Sequence, residues 1–173
     1  MIKELNIEFE KATRLLAAAL PVSTDKTRKP VLFHDIRVGV YLYENDYKRE
    51  IVLAGLLHDA LEFSTLTAEQ IVESFGSEVL RLVKASTKDD SITDKTEKTN
   101  ELIQRCVANG EDALIVKAAD VLDSFKFYSA INNSDELAYC SRNASAIFAH
   151  KPDLMQDKIF DELRVWHDRY PLK

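Results

Sequence analysis

Glycine and proline are scarce in this chain, with only four of each among 173 residues. Turn-rich β folds depend on both residues, so their scarcity favours helices. Cysteine is rarer still: Cys106 and Cys140 lie far apart and lack the close spacing of a thiolate metal site. We expect these two cysteines to be reduced thiols rather than a disulfide.

Long apolar runs are also missing. No stretch approaches the roughly 20 apolar residues that a membrane-spanning helix needs, and the first residues carry an early acid and no signal-peptide core. We therefore expect a cytoplasmic protein without a membrane partner. The length fits one domain over 1–173, because neither an internal linker nor a repeat divides the chain.

Net positive charge is lacking as well, since 29 acidic residues against 23 basic ones leave the chain at −6. An acidic protein repels the phosphate backbone, so we expect no nucleic-acid partner. A small phosphate compound remains an allowed ligand, because a local basic cluster or a metal ion is enough to bind it. The sequence leaves the oligomeric state open.

The chain does contain apolar residues at helical spacing. They predict an all-α fold, a bundle of about eight helices. The first apolar stripe lies between Leu5 and Ala19, and a polar loop follows over 20–30. Further helices are expected over about 34–44 and 48–61.

Local signals mark several helix boundaries. Thr67 and Gln70 have the spacing of a capping box, so a helix is expected to begin there. Ser77 follows a glycine and is expected to cap the next helix. Pro152 is expected to start the last helix, because proline is favoured in a first helical turn.

Only four histidines are present, and two of them stand in notable positions. His58 and Asp59 follow an apolar helix, where burial of both is costly unless a partner such as a divalent cation pairs them. His34 lies near the start of the preceding helix, and Asp120 interrupts another apolar run. Two imidazoles and two carboxylates leave coordination positions open, which suits manganese or iron better than a closed structural zinc site. The alternative is that each histidine is a hydrogen-bonded core residue.

This pattern of a histidine, a His-Asp pair and a distant aspartate resembles the HD superfamily of metal-dependent phosphohydrolases. Within it, the chain is similar to the hydrolase domain of the RelA/SpoT alarmone enzymes and to their small stand-alone relatives. The similarity runs without a gap from Pro30 to about Thr87. The matching residues are Pro30, His34, Leu56, Leu57, His58, Asp59, Glu62, Thr67, Phe75, Gly76, Val79, Leu82, Val83, Thr87, Val116, Lys117, Ala119, Asp120 and Leu122.

The resemblance implies an HD-domain helical bundle in which four residues hold a manganese ion: His34, His58, Asp59 and Asp120. It also implies a catalytic role for Glu62 and for Asp59. Glu62 follows His58 by one helical turn, and in this family the glutamate helps to position and activate the attacking water. The alternative for Glu62 is a surface carboxylate at a helix end.

The chain departs from the alarmone hydrolases where those enzymes contact substrate. Phe63 stands where they carry an aspartate, and Ser124 stands where they carry an asparagine. Their Arg-Lys pair corresponds to Asp25 and Lys26, and Lys29 is close by. The resemblance implies that Lys26, Lys29 and Ser124 contact the substrate, whereas the alternative for each lysine is a solvated loop cation.

A second pair of family positions has no clear counterpart in this chain. The downstream tyrosine and arginine contacts of the alarmone hydrolases find no clean match near Tyr139 and Arg142. The departures therefore put the substrate in question more than the class of reaction.

Three functions follow from these observations. The first is metal-dependent removal of the 3′-pyrophosphate from guanosine tetraphosphate or pentaphosphate. The second is an HD-type nucleotidase that acts on another nucleotide phosphate, since small HD nucleotidases need no aspartate after the glutamate. The third is a module that binds nucleotide and metal, with catalysis weakened at Phe63. All three predict a small-molecule nucleotide ligand.

Overall fold

The computed structural model describes residues 2–172, and within them it contains helices and no strand. The predicted all-α fold is confirmed. The helices are α1 (Ile2–Ala19), α2 (Val31–Glu44), α3 (Arg49–Leu57), α4 (Ala60–Phe63), α5 (Ala68–Phe75), α6 (Ser77–Ser86), α7 (Lys95–Ala108), α8 (Glu111–Ala130), α9 (Ser134–His150) and α10 (Lys158–Arg169).

Two helices form the centre of the bundle. All residues of α3 from Ile51 to Leu57 are buried, and α3 packs against α1, α2, α6 and α8. Helix α8 is buried over most of its length and packs against α2, α3, α6, α7, α9 and α10. Because neighbouring helices surround both of them over most of their length, the buried polar groups that they carry lie inside the protein and need partners.

The helix predicted over 48–61 is divided at His58 and Asp59, which form a turn between α3 and α4. The backbone of Asp59 has φ −92° and ψ −3°, so the chain departs from regular helix at that residue. The amide groups of Glu62 and Phe63 both donate to the Asp59 carbonyl oxygen, at 3.1 Å each. This turn places Asp59 and Glu62 at the end of the buried α3.

The close approach of α2 and α3 depends on glycine. A Cβ atom at Gly55 would lie 2.2 Å from Leu42 Cδ1, and one at Gly39 would lie 3.0 Å from Leu56 Cβ. Larger residues at either position would push the two helices apart. The helices that carry His34 and His58 therefore pack at short range.

The capping box at Thr67 and Gln70 is confirmed, with both of its side-chain hydrogen bonds formed. The expectation for Ser77 is wrong, because Gly76 occupies the N-cap position at φ +96° and Ser77 is already the first residue of α6. A positive φ is a conformation that glycine adopts without strain, so the glycine and not the serine makes this junction.

The expectation for Pro152 is also wrong. Pro152 ends α9 rather than starting α10, since a proline drives the preceding residue out of helical geometry and Lys151 has ψ 124°. Helix α10 begins later, where the Asp157 carboxylate accepts a hydrogen bond from the Ile159 amide at 2.9 Å.

Cys106 and Cys140 are free and buried, as expected. Burial raises the pKa of both thiols, to about 11 for Cys106 and to about 12 for Cys140. Across residues 2–172 the structure contains no helix with the length and apolar character of a membrane span.

Candidate functional site

Three helices bring histidine and aspartate side chains together in the interior. His34 lies in the first turn of α2, His58 directly follows α3, and Asp120 lies midway along α8. The Nε2 atoms of the two imidazoles are 3.2 Å apart. The Oδ1 atom of Asp120 is 3.1 Å from His34 Nε2 and 3.7 Å from His58 Nε2, and Asp59 Oδ1 is 3.5 Å from His58 Nε2. Neighbouring ligands of an ion with bonds of about 2.1 Å are separated by roughly 3.0–3.5 Å, so this spacing suits a metal ion.

Each imidazole is oriented by a bond at its other nitrogen. His58 Nδ1 donates to the carbonyl oxygen of Gly55 at 2.8 Å, and His34 Nδ1 is 2.6 Å from Asp123 Oδ2. Arg37 holds that carboxylate with two further hydrogen bonds of 2.7 Å. Because both acceptors bind a proton on Nδ1, both Nε2 atoms face the interior of the cluster, and a bound ion would take the place of any proton there.

Negative charge exceeds positive charge around His58. Burial acts to lower the pKa of His58, but the carboxylates of Asp59, Asp35 and Asp120 outweigh burial and raise that pKa to about 10. Burial acts to raise the pKa of Asp120, but Lys117 and other cations hold it well below its ordinary value. The ionised carboxylates make this a site that attracts cations.

Asp35 is an additional acidic residue of the cluster, and its signal in the sequence is a second His-Asp pair, His34-Asp35. His34, Asp35, His58 and Asp59 have potential ligand atoms within 4.8 Å of one another. Asp35 Oδ1, however, is 3.6 Å from His58 Nδ1, the nitrogen that already donates to a carbonyl. We therefore place Asp35 on the Nδ1 side of the His58 ring, away from an ion. Asp120 approaches both Nε2 atoms, so we place it on the side that would face the ion.

Asp35 has a further property that sets it apart. Both of its carboxylate oxygens are buried without a hydrogen-bond partner in the described part of the chain. Burial raises the pKa of Asp35 well above its ordinary value, although the nearby His58 acts in the opposite direction. A buried carboxyl group without a hydrogen-bond partner is costly, so Asp35 is the polar group of this cluster whose needs the described residues leave unmet.

Two lysines bind Asp120 from opposite sides. Lys117 Nζ donates to Oδ2 at 2.7 Å. Lys29 Nζ donates to Oδ1 at 2.9 Å, and it also lies 2.6 Å from His34 Nε2 and 2.8 Å from Ser124 Oγ. The predicted substrate residues Lys29 and Ser124 are thus in direct contact with the predicted metal ligands.

Glu62 is a buried ion-paired carboxylate rather than a surface one. Its side chain is 8% exposed, and its two oxygens accept hydrogen bonds from the Lys88 amide at 2.7 Å and from Lys88 Nζ at 2.8 Å. The gapless similarity to the alarmone hydrolases ends at about Thr87, and Lys88 is the next residue. The family pattern therefore did not include this partner of Glu62.

A cavity of about 740 Å³ opens beside the cluster. Its walls include the predicted residues Asp59, Glu62, Lys29, Asp120 and Ser124, together with Phe63, Lys88, Lys95, Lys98, Tyr139 and Arg142. Such a volume is typical of small-molecule sites, and the basic side chains suit a phosphate-bearing ligand.

Four residues discussed from the sequence take clear positions relative to this cavity. Phe63 is 45% exposed and forms part of the wall, with Lys88 Nζ 5.5 Å from its ring centre. Tyr139 and Arg142 both line the cavity, although neither matched the family pattern cleanly. Lys26 is exposed on the loop before α2 and is not among the lining residues, so the structure does not bring it to the site with Lys29.

Fold and site together define an all-helical domain built around a buried histidine–aspartate centre. The HD domain family model matches residues 12–150. The chain therefore belongs to the HD domain family, as the resemblance predicted, and this domain carries a histidine–aspartate cluster suited to a divalent metal ion.

Several relatives carry related names. A guanosine-3′,5′-bis(diphosphate) 3′-pyrophosphohydrolase of Aquifex aeolicus (strain VF5) is 36% identical over 149 residues, which cover 84% of this chain and 21% of that protein. A protein of the same name from Borreliella burgdorferi is 31% identical over 64% of this chain and 18% of that protein. The chain thus spans about a fifth of the length of these relatives.

The fold is also similar to a solved structure. The structure of a metazoan ortholog of SpoT, described as hydrolysing ppGpp, aligns with a TM-score of 0.76 and 19% identity over 96% of this chain and 97% of that one. At this identity the match supports the HD-domain helical bundle.

Proposed function

We propose that this chain is a metal-dependent phosphohydrolase that removes the 3′-pyrophosphate from guanosine tetraphosphate or pentaphosphate. The observation that carries the proposal is the convergence of the His34 and His58 Nε2 atoms, 3.2 Å apart, on the Asp120 carboxylate beside a cavity that is lined by lysine and arginine side chains as well as carboxylates. The names of the two 3′-pyrophosphohydrolase relatives, which are 36% and 31% identical to this chain, support the choice of substrate.

The donor set fits a divalent ion, and we propose that the ion is manganese. His34 and His58 would supply imidazole nitrogens, deprotonated at Nε2 when the ion binds, and Asp59 and Asp120 would supply carboxylate oxygens, a mixed set that leaves positions open for water and substrate. When bound, the ion supplies a more acidic water and polarises a phosphate oxygen.

The remaining chemistry belongs to the side chains of the cavity. Glu62 accepts the proton of the attacking water, and the Lys88 ammonium, which donates to it at 2.8 Å, holds that carboxylate in place at the cavity wall. Lys88 also lines the cavity, so it is in place to meet phosphate oxygens. Asp123 and the Gly55 carbonyl oxygen keep the two imidazoles in their metal-binding orientation.

One observation favours a second candidate. Phe63 forms a wall of the cavity where alarmone hydrolases carry a carboxylate, so a nucleotidase acting on another nucleotide phosphate is the alternative. A nucleotide-binding module with weakened catalysis is the third reading of the same substitution. The cytoplasmic location, the single domain over 1–173, the absence of nucleic-acid partners and the predicted contact between Lys26 and substrate remain predictions.

A phosphate-release screen with added Mn²⁺ tests these candidates. Pyrophosphate released from guanosine tetraphosphate supports the proposal, and orthophosphate released from a different nucleotide selects the nucleotidase. Tight nucleotide binding without turnover selects the binding module. The control is His58→Gln, which removes the imidazole that is proposed to bind the ion at the end of α3. This variant should lose turnover on every substrate.

A further inference from the structure

The Lys29 side chain ends directly on two of the proposed metal ligands. Its ammonium lies 2.6 Å from His34 Nε2, 2.9 Å from Asp120 Oδ1 and 2.8 Å from Ser124 Oγ. The side chain is 17% exposed. Its backbone is anchored as well, since the Lys29 amide donates to the Tyr128 hydroxyl at 3.4 Å. The ammonium is therefore a built-in cation of the cluster rather than a solvated loop charge.

A divalent ion and this ammonium need the same lone pair. A neutral imidazole has one N–H and one acceptor nitrogen, and the His34 Nδ1 proton is committed to Asp123 at 2.6 Å. The single remaining lone pair, on Nε2, accepts from Lys29. An ion bound to that nitrogen would also sit close to a second positive charge in a buried setting, where repulsion is strong.

Lys117 does not compete in this way. It binds Asp120 through Oδ2 at 2.7 Å, whereas the two histidines approach Oδ1. Lys117 can keep its bond when an ion occupies the Oδ1 side. Of the two lysines that hold Asp120, only Lys29 has to move.

We infer that Lys29 is a resident counter-cation that competes with the divalent ion for His34 and Asp120, and that ion binding releases its ammonium into the adjacent cavity. The inference rests on the proposed metal site. Lys29 already lines that cavity, and its flexible four-carbon stem allows the head group to move while the backbone stays fixed. Metal loading thus frees a cation where the substrate phosphate is proposed to bind.

The test measures metal affinity and stability. Protein freed of metal with a chelator is titrated with Mn²⁺ by calorimetry and melted with and without the ion. Lys29→Met should bind Mn²⁺ about 10- to 100-fold more tightly than wild type, because the competing charged hydrogen bonds are gone. The same variant should melt at a lower temperature without metal, since Asp120 loses a partner. Lys29→Gln is a second variant that removes the charge but keeps a polar group, in case Lys29→Met folds poorly. It should also bind Mn²⁺ more tightly than wild type.

The matched control is Lys26→Met. It removes the same charge from the same loop, at an exposed position outside the cavity lining, and should leave the Mn²⁺ affinity near the wild-type value. Equal tightening in Lys26→Met and Lys29→Met, or no tightening in either Lys29 variant, would overturn the inference while leaving the metal site intact. Absence of Mn²⁺ binding in wild type and in both Lys29 variants would overturn the metal site and the inference together.

Discussion

At the scale of single residues, Glu62 shows how a predicted catalytic group is held by a partner that is distant in sequence. Its carboxylate binds both the amide and the ammonium of Lys88, 26 residues away. The pair lies at the cavity wall and makes no bond to the histidines. We therefore propose that water activation and ion binding depend on separate side chains.

We expect Glu62→Gln to lower kcat by roughly 10²–10⁴, the usual contribution of positioned acid–base catalysis. Mn²⁺ affinity, measured by calorimetry, should stay near the wild-type value because Glu62 is not a proposed ligand. The matched control is Glu69→Gln, an exposed glutamate at the start of α5. Full kcat in Glu62→Gln would remove this residue from the mechanism.

Phe63 leads to a second residue-scale prediction. It is 45% exposed, so its replacement costs little core packing. We expect Phe63→Asp to increase 3′-pyrophosphate release from guanosine tetraphosphate, since it restores the carboxylate that alarmone hydrolases carry there. Asparagine has the same size as aspartate but no charge, so Phe63→Asn should not produce the increase. If Asn and Asp raise the rate equally, the effect comes from opening the cavity.

At the scale of elements, polar pairs tie the helices around the site to one another. Arg49 at the start of α3 binds the Glu8 carboxylate of α1 through two guanidinium nitrogens, one at 2.7 Å. The same guanidinium donates to the Phe75 carbonyl oxygen at the end of α5. This arginine joins three helices at the end of α3 opposite His58.

The Glu8–Arg49 pair predicts a dependence of stability on pH. The hydrogen bond from Arg49 lowers the pKa of Glu8 below its ordinary value of 4.5. A lowered folded-state pKa contributes stability above the ordinary pKa, and that contribution is lost as the pH falls through the folded value. Glu8→Gln should therefore cost about 0.5–1 kcal/mol in urea unfolding at pH 7, and the difference from wild type should shrink below about pH 4.

Glu10→Gln is the control for that measurement. Glu10 pairs with Arg14 on the exposed face of the same helix, with side-chain exposures of 64% and 77%. Its loss should change the free energy of unfolding by less than that of Glu8. A larger cost for Glu10→Gln would show that the α1–α3 contact does not depend on the Arg49 pair.

The elements also show how far sequence reasoning reaches. Helical spacing of apolar residues identifies the helices, because one buried face per helix is a local property of the chain. The capping box at Thr67 is equally local. Helix boundaries are harder to predict where two local signals lie side by side. Gly76 and not Ser77 is the N-cap of α6, and Pro152 ends a helix rather than starting one.

Local sequence patterns do not predict side-chain partners that are distant in the chain. The predicted ligands do meet in the structure, because the family pattern carries that long-range information. Asp123 lies 89 residues from the His34 that it orients, and Lys88 lies 26 residues from Glu62. No periodicity links such pairs, so a single sequence offers no signal for them.

At the scale of the whole molecule, the site joins α2 to the two central helices α3 and α8, with proposed ligands on α2 and α8 and in the turn that ends α3. An ion bound there stabilises the folded state by mass action, about 2.7 kcal/mol when its concentration is 100 times the dissociation constant. We expect added Mn²⁺ to raise the melting temperature and a chelator to lower it. His58→Ala should abolish the response, and His150→Ala, a histidine outside the cluster, should keep it. A persistent response in His58→Ala would relocate the ion.

The wide spacing of the ligands in the chain has a consequence for folding kinetics. His34 and Asp120 are 86 residues apart, so the chain must close a long loop before the two can share an ion. If the site is completed after the rate-limiting step, Mn²⁺ should slow unfolding and leave the folding rate nearly unchanged. Stopped-flow chevrons with and without the ion would display this as a shift of the unfolding limb alone. A faster folding limb would mean that the distant ends of this loop already meet in the transition state.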